Sequence, residues 1–280
     1  MLAKKIEGNL LLKQSKMQSK IYMKHISPND FIKKAVITLL ILQVVFQSYG
    51  QSKDSTRIAA PIIFSGTITA TNNGISLLPN FSLNKPALLF DLSMAKGKVS
   101  FDPMFRFAME GKPWTFVFWG RYKLINKKNF SMGIGAHPSF VFKTITVASN
   151  GTSNEYLTTQ RYLAWEASPT FYVNKNINVG IYYLGSHGLT NDLTQYTTFI
   201  AAKSTFSNIN ISDKLRLAIS PQFYYLKQDE KDGIYVTGTV ALSKKNSPFS
   251  ISSIVSKSIQ TEIAGKDLVW NIALNYFFKQ

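Results

Sequence analysis

LVWNIALNYFFKQ, residues 268–280, closes the chain with a large apolar side chain at every second position until two residues from the end. Side chains alternate between the two faces of a β-strand, so six of them share one face. These six are Leu268, Trp270, Ile272, Leu274, Tyr276 and Phe278. The opposite face mixes small, polar and apolar residues, among them Asn271 and Asn275. The stretch predicts a strand with one wholly apolar face, on which a charge at Ile272 is expected to cost far more than one at Asn271.

The same two-residue period recurs through the chain from residue 62, whereas no segment after residue 51 follows the 3.6-residue period of a helix. Twelve strands are predicted, near residues 62–80, 86–95, 97–110, 113–125, 130–147, 160–173, 177–190, 196–211, 214–229, 234–245, 249–263 and 267–280. Within the first, TNNG (residues 71–74) is either a bulge in one long strand or a hairpin turn. The fold class is therefore all-β, in one domain over residues 61–280.

The N-terminal region has the pattern of a secretory signal. Lys33 and Lys34 precede an apolar run over residues 35–46, and small residues follow at Ser48 and Gly50. As a helix, that run reaches about 18 Å, short of the roughly 30 Å hydrocarbon core of a bilayer. A helical signal peptide over residues 1–50 is predicted, with a start at Met23, cleavage after Gly50 and a short lead over residues 51–60. A small residue followed by Gln resembles signal cleavage sites of Bacteroidota.

Composition excludes several classes of protein. The chain has no cysteine, which rules out disulfides, thiolate metal sites and a lipid-anchored lipoprotein. Of the formal charge of +17, the first fifty residues hold eight basic and two acidic residues, which leaves 24 minus 13, or +11. The remaining basic residues are scattered, many of them in turns, so nucleic-acid binding is not expected. No metal-ligand spacing or phosphate loop is present, and no cofactor is expected.

The aromatic end of residues 268–280 resembles the terminal strand of outer-membrane β-barrels, which their assembly machinery recognises. Such barrels have even strand numbers, short periplasmic turns and longer outer loops, and the predicted connections sort in this way if both ends of the barrel domain are periplasmic. Interface aromatics are expected at Trp114, Trp165 and Trp270 near the outer ends of strands, and at Tyr122, Tyr276 and Phe278 near the periplasmic ends. The resemblance implies a single antiparallel, up-and-down transmembrane β-barrel of about twelve strands. It also implies a Gram-negative outer-membrane location, with the lipid bilayer and the barrel assembly machinery as partners.

Polar residues on the opposite strand faces are expected to line the lumen. The candidates are Asp91, Asp102, Arg106, Glu110, Arg121, Lys123, His137, Glu166, Arg216, Gln222 and Tyr224. Neighbouring strands place Asp102 with Arg121, and His137 with Glu166, at similar heights, so ion pairs that plug the lumen are one interpretation. A water-filled path that acts on small solutes or ions is the other.

The predicted function is that of a porin-like integral outer-membrane protein with a passive small-solute or ion transport role or a structural role. One alternative is a lipid-modifying enzyme, since outer-membrane phospholipases carry a His-x-Ser pair that His137 and Ser139 resemble. That pair is expected to face the lumen and not the lipid, so no enzymatic activity is predicted. Another alternative is a surface-binding protein that acts through a loop at residues 148–159.

Four prolines, Pro103, Pro138, Pro169 and Pro221, fall inside predicted strands, where each lacks a backbone donor. Either the strand registers are wrong at these points, or the wall carries a ring of irregularities with missing partners.

Overall fold

The computed structural model describes residues 60–149, 152–190 and 193–280. The expected signal peptide, the start at Met23 and the cleavage site after Gly50 lie outside these residues. No helix within the described ranges is long and apolar enough to cross a membrane.

Antiparallel strands make up nearly all of the described chain. They are β1 (Ile62–Thr71), β2 (Ala87–Lys96), β3 (Val99–Ala108), β4 (Pro113–Asn126), β5 (Phe130–Ser149), β6 (Thr152–Tyr172), β7 (Ile177–Gly188), β8 (Tyr196–Asn210), β9 (Leu215–Gln228), β10 (Lys231–Lys244), β11 (Phe249–Thr261), β12 (Leu268–Trp270) and β13 (Ala273–Lys279). Each pairs with its neighbour in the chain, and β13 pairs with β1 from Ser65↔Lys279 to Thr71↔Ala273. Because β12 and β13 lie in line along β11, they count as one interrupted strand. The sheet is therefore a closed up-and-down barrel of twelve strands, which confirms the predicted fold class.

The outer wall exposes large apolar side chains on every second residue of the strands. Examples are Ile134, Ile181, Phe223, Val240 and Leu274. A soluble protein would bury a surface of this kind, whereas the hydrocarbon core of a bilayer requires it. On β2 to β5, seven phenylalanines contact one another edge to face on this wall, from Phe90 to Phe142.

Connections at the two ends of the barrel differ in length. The end that holds residues 60 and 280, called here the turn end, has the short connections 97–98, 127–129, 173–176, 211–214 and 245–248. The other, called here the loop end, has the connections 72–86, 109–112, 150–151, 189–195, 229–230 and 262–267. Gly97, with φ of +59°, and Asn246, with φ of +58°, supply the left-handed backbone that two of the short turns require.

Each of the four prolines expected to interrupt a strand coincides with a gap in the pairing on one side. Pro169 pairs with Met132 of β5, but the β6–β7 register passes from Ala167↔Tyr183 to Thr170↔Gly180 without it. Pro103, Pro138 and Pro221 likewise pair with one neighbouring strand and are skipped by the other. Since proline offers no N–H, each gap falls where the ladder lacks a donor. The predicted strand registers are therefore correct at these prolines, and the barrel wall lacks regular pairing on one side of each.

Two of the predicted connections were wrong. The strand expected over 62–80 ends at Thr71, and TNNG is neither a bulge nor a hairpin, because the chain leaves the wall there for the lumen. The loop expected at 148–159 is mostly strand, since β5 and β6 pair as far as Ser149↔Thr152. Its Thr-rich composition favours an extended ribbon as well as a loop.

Candidate functional site

The lumen is occupied by the connection between β1 and β2, residues 72–86, called here the inner segment. Its neck is closed by backbone hydrogen bonds: the Gly74 N–H donates to Lys85 O at 2.8 Å, and the Leu83 N–H donates to Gly74 O at 2.9 Å. A side chain at position 74 would lie only 2.9 Å from the Trp114 ring, so the neck requires glycine. Residues 75–82 thus form a compact Ω-like head that folds back into the barrel.

An apolar cluster holds this head inside the barrel. Leu78 from the inner segment is only 8% exposed. The side chains clustered with it come from β4, β7 to β10 and the 262–267 connection, and they are Trp119, Leu184, Phe199, Ala201, Tyr224, Leu226, Tyr235 and Ile263. Phe199 and Leu226 are fully buried, although both point to the inside of the barrel. Side chains lining an open aqueous pore would be wet, so this part of the lumen is packed and dry.

Trp114 anchors the head and corrects one sequence prediction. Its indole N–H donates to Phe81 O at 2.9 Å, and its side chain is 3% exposed, so it does not lie at the membrane interface. The β3–β4 register passes from Arg106↔Thr115 to Phe107↔Pro113, which leaves Trp114 as the extra residue of a β-bulge. A bulge interrupts the alternation of faces, and here it turns the indole inward.

The other predicted interface aromatics are on the outer wall. Trp165 is 43% and Trp270 51% exposed, and Trp165 covers Gly185 of the next strand, where a Cβ would lie 2.6 Å from the indole. At the turn end, Tyr122 and Tyr276 are exposed, and Phe278 stacks on Tyr276 with ring centroids 6.3 Å apart.

Arg121 is the centre of a polar network that spans β2 to β7. Its Nη1 donates to Asp102 Oδ2 at 2.9 Å and its Nε to Glu166 Oε1 at 2.7 Å. The Ser93 hydroxyl donates to Asp102 at 2.5 Å, and the Tyr182 hydroxyl donates to Glu166 at 2.7 Å. One guanidinium therefore compensates two carboxylates in a partly buried site.

Arg121 reaches Glu166 across β5 because the intervening residue is Gly135. A Cβ there would lie 3.0 Å from Arg121 Cγ and 3.1 Å from Glu166 Oε1. The predicted pair of His137 and Glu166 does not form. The His137 ring packs against Trp119 instead, with centroids 4.0 Å apart, and Glu166 is taken by Arg121 and Tyr182.

A second pair, Asp91 and Arg106, faces a polar chamber. Arg106 Nη2 lies 4.0 Å from Asp91 Oδ1, and both residues line a cavity of about 360 Å³. Its other walls carry hydroxyl, amide and phenol groups, from Thr69, Thr71, Gln222, Tyr224, Thr237, Thr239, Ser252, Ser256, Asn271 and Asn275. A smaller cavity of about 240 Å³ reaches Arg121, His137 and Ser139. Ser76 and Leu77 line both cavities, so the inner segment lies between them.

Three predicted lumen residues lie near the ends of the barrel. Glu110 is in the turn between β3 and β4 at the loop end, exposed and 3.9 Å from Lys85, so it does not line the lumen. Lys123 and Arg216 are exposed residues near the turn end of β4 and β9. Position along the strand decides these cases, because alternation predicts which face a residue occupies but not how deep it lies.

Charge is distributed unevenly along the barrel axis. The turn-end segments 96–98, 123–129, 173–176, 211–216, 244–248 and 279–280 hold eleven basic residues and one acidic residue, a net charge of +10. The loop-end segments 72–86, 109–112, 143–161, 189–195, 227–232 and 257–267 hold eight of each, a net charge of zero. The lumen holds three of each, with Asp91, Asp102 and Glu166 against Arg106, Arg121 and Lys203. Within the described ranges, no group of His, Asp and Glu residues is arranged to hold a metal ion.

Sequence reasoning missed the inner segment, Gly135 and Tyr182. The head of the inner segment together with Leu83, ISLLPNFSL (residues 75–83), is apolar enough to be taken for the continuation of β1. Pro79 and the two flanking asparagine-containing stretches were the available signal for a turn at this place.

No protein-family model matches the chain, and no curated protein does. Solved structures with similar architecture include the KdgM porin in complex with disordered oligogalacturonate (10% identity, 77% of this chain and 99% of that chain, TM-score 0.46). The NanC porin has 12% identity over 76% of this chain and 97% of its own, with a TM-score of 0.45. OmpT, an outer membrane protein of Vibrio cholerae, has 8% identity over 81% of this chain and 100% of its own, with a TM-score of 0.39. These similarities concern general architecture, and the assignment of a closed twelve-stranded barrel rests on the strand pairing of this chain.

Proposed function

We propose that this chain is an outer-membrane barrel that forms a passive pathway for small solutes or ions, closed in the present conformation by the inner segment. The observation that carries the proposal is the head at residues 75–82, which packs on an apolar cluster inside the barrel and borders a chamber lined by polar and charged side chains. The turn end faces the periplasm, because its connections are the shorter ones. A bacterial signal peptide that is removed after Gly50 and insertion by the barrel assembly machinery complete this proposal.

The packing around Leu78 supports a closed state. The polar chamber beside the head supports a pathway. The chamber of about 360 Å³ is bounded by the head and by polar side chains. Several of these side chains bond one another, but the buried Asp91 Oδ1 and Arg106 Nε have no hydrogen-bond partner among the described residues. A barrel with a purely structural role could fill its lumen with apolar side chains throughout. The polar chamber and the Arg121 network favour a pathway over a solid core.

A loop-shortened variant tests the proposal. Because Gly74 and Leu83 are hydrogen-bonded at the neck, residues 75–82 can be replaced by Asn-Gly without moving the strands. In planar bilayers we expect the parent protein to conduct rarely and the variant to show stepwise conductance. As a control, shortening the β5–β6 ribbon by removing residues 146–155 keeps the head and should leave conductance unchanged. A folded variant that stays silent would favour the structural role.

The other two functions have less support. A lipid-modifying enzyme would need its reactive pair at the lipid, whereas His137 and Ser139 are buried in the barrel interior. Release of labelled fatty acid from phospholipid vesicles by the refolded protein would reinstate this alternative. A surface binder would use the β5–β6 ribbon and not a loop, and loss of ligand when that ribbon is shortened would support it.

A further inference from the structure

A closed ring of basic side chains surrounds the turn end. Every one of the five turns contributes at least one residue, and the closing strand completes the circle. The ring, called here the basic collar, is represented by Lys98, Lys127, Lys175, Lys214, Lys245 and Lys279. All of these are exposed except Lys245, which is partly exposed. Only Asp213 offsets the collar in the turn-end segments, so the whole circumference is positive.

The collar lies next to the aromatic residues of the outer wall. Tyr122 precedes Lys123 on β4, Phe171 lies just before the turn that holds Lys175, and Phe278 precedes Lys279. Aromatic side chains on barrel exteriors sit at the level of the lipid headgroups. The basic residues that follow them are therefore at the height of the headgroup phosphates.

We propose that the basic collar binds the phosphate groups of anionic phospholipids in the leaflet around the turn end. The distribution of charge selects this partner. A protein or a soluble polyanion binds a concentrated patch, whereas a ring spread over all five turns matches a ligand that itself surrounds the barrel. Lysine suits the role, because its flexible stem packs along apolar surface while its ammonium group reaches the phosphates. The loop end has a net charge of zero and offers no equivalent ring.

The experiment uses the full-length chain refolded into vesicles of phosphatidylcholine with a fraction of phosphatidylglycerol on both sides. Spin-labelled phosphatidylglycerol and phosphatidylcholine report which lipid is held at the protein surface. We expect about a threefold preference for the anionic lipid, since one lysine near an anionic surface contributes up to roughly a fivefold factor. The preference should fall sharply in about 1 M salt, where the screening length is about 3 Å.

Two matched variants locate the site. The collar variant replaces one lysine in each turn, at Lys98, Lys127, Lys175, Lys214 and Lys245, by glutamine. The control replaces five lysines at the loop end, Lys143, Lys227, Lys231, Lys257 and Lys266, by glutamine. The proposal requires the collar variant to lose most of the preference and the control to keep it, with both migrating as folded barrels on unheated gels. A preference that is undiminished in the collar variant, or that falls equally in the control, would overturn it, and neither result depends on whether the barrel conducts.

Discussion

At the scale of single residues, Arg121 determines the stability of the polar lumen. It is 34% exposed, whereas Asp102 and Glu166 are mostly buried. Arg121→Met leaves both carboxylates uncompensated, and we expect a loss of roughly 3 kcal/mol, the lower end for a broken buried pair because solvent reaches the guanidinium. Lys123→Met, two residues along on the exposed end of β4, should change stability by less than about 0.5 kcal/mol. Urea unfolding in lipid vesicles measures both.

A double variant distinguishes this network from an isolated pair. Removing Arg121 together with Asp102 still leaves Glu166 unpaired, so the Arg121→Met, Asp102→Asn double variant should remain destabilised. Adding Glu166→Gln removes the last unpaired charge, and the triple variant should recover part of the loss. If the double variant is already as stable as the parent protein, Glu166 does not depend on Arg121 for charge compensation.

Gly135 is the second decisive residue, because it lets a side chain pass from β4 to β6. Gly135→Val should wedge Arg121 away from Glu166 and cost about 1–3 kcal/mol through overpacking. Gly238 provides the control, because nothing lies within 4 Å of a Cβ built there. Gly238→Val should be nearly neutral in the same unfolding measurement, and equal losses at the two glycines would contradict this account of the passage.

These residues show the limits of sequence reasoning. The pairing of Asp102 with Arg121 could be expected from alternation and strand order, because neighbouring strands bring residues at equal heights together. Glu166 could not be assigned to Arg121, since that contact crosses a third strand through a missing side chain. Trp114 was misplaced because a bulge changes the face of one residue without altering the apolar pattern around it.

At the scale of the element, β10 offers a cleaner test of the two faces than the closing strand does. Asn271 is 5% exposed; its Oδ1 accepts a hydrogen bond from the Ile254 N–H at 2.8 Å, and its Nδ2 donates to Thr71 Oγ1 at 3.1 Å. A charge at position 271 is therefore costly, contrary to the expectation that it would cost far less than one at Ile272. The adjacent residues Thr239 and Val240 face the chamber and the outside of the barrel respectively. Val240→Arg should cost about 2–4 kcal/mol in unfolding from lipid, and Thr239→Arg much less. Equal costs would mean that the outer wall is not in contact with lipid.

The inner segment is the other element whose behaviour can be tested by one substitution. Trp114→Phe removes the indole donor to Phe81 O and keeps most of the ring, so we expect a loss of about 1 kcal/mol and more frequent openings in planar bilayers. Trp165→Phe on the lipid-facing wall is the matched control and should leave gating unchanged. If both substitutions change the frequency of openings equally, the bond from Trp114 to the inner segment does not keep the barrel closed.

For the whole molecule, the unequal charge of the two ends predicts ion selectivity. With residues 75–82 replaced, current passes a neutral lumen and then a turn end of net charge +10. We expect anions to pass preferentially at about 0.1 M salt, where the screening length is about 10 Å, and selectivity to weaken at about 1 M. Reversal potentials under a salt gradient measure this, and the collar changes made in the shortened protein should weaken the preference, because they reduce the net charge of the turn end from +10 to +5. Cation selectivity in the shortened protein would show that Asp91 and Glu166 outweigh the collar.

The barrel as a whole was the most predictable feature, because a two-residue period repeated twelve times and a closed sheet is what a bilayer demands. What the pattern did not reveal was the content of the lumen. The inner segment is held by contacts with strands distant in sequence, and periodicity carries no information about such contacts. The short apolar stretch at residues 75–83 fits a strand as well as it fits a plug.

The place of the inner segment in the chain also affects the order of assembly. It is made directly after the first strand, yet the surfaces that receive it come from β4, β7 to β10 and the connection before β12. It therefore has no docking site until nearly every later strand is in place, and its burial must be one of the last steps of folding. Because Trp114 donates to Phe81 O and Trp119 belongs to the cluster around Leu78, refolding should show a late change in tryptophan fluorescence after the strands have formed. The nascent barrel would be leaky during that interval, and the speed of this final step would limit the leak.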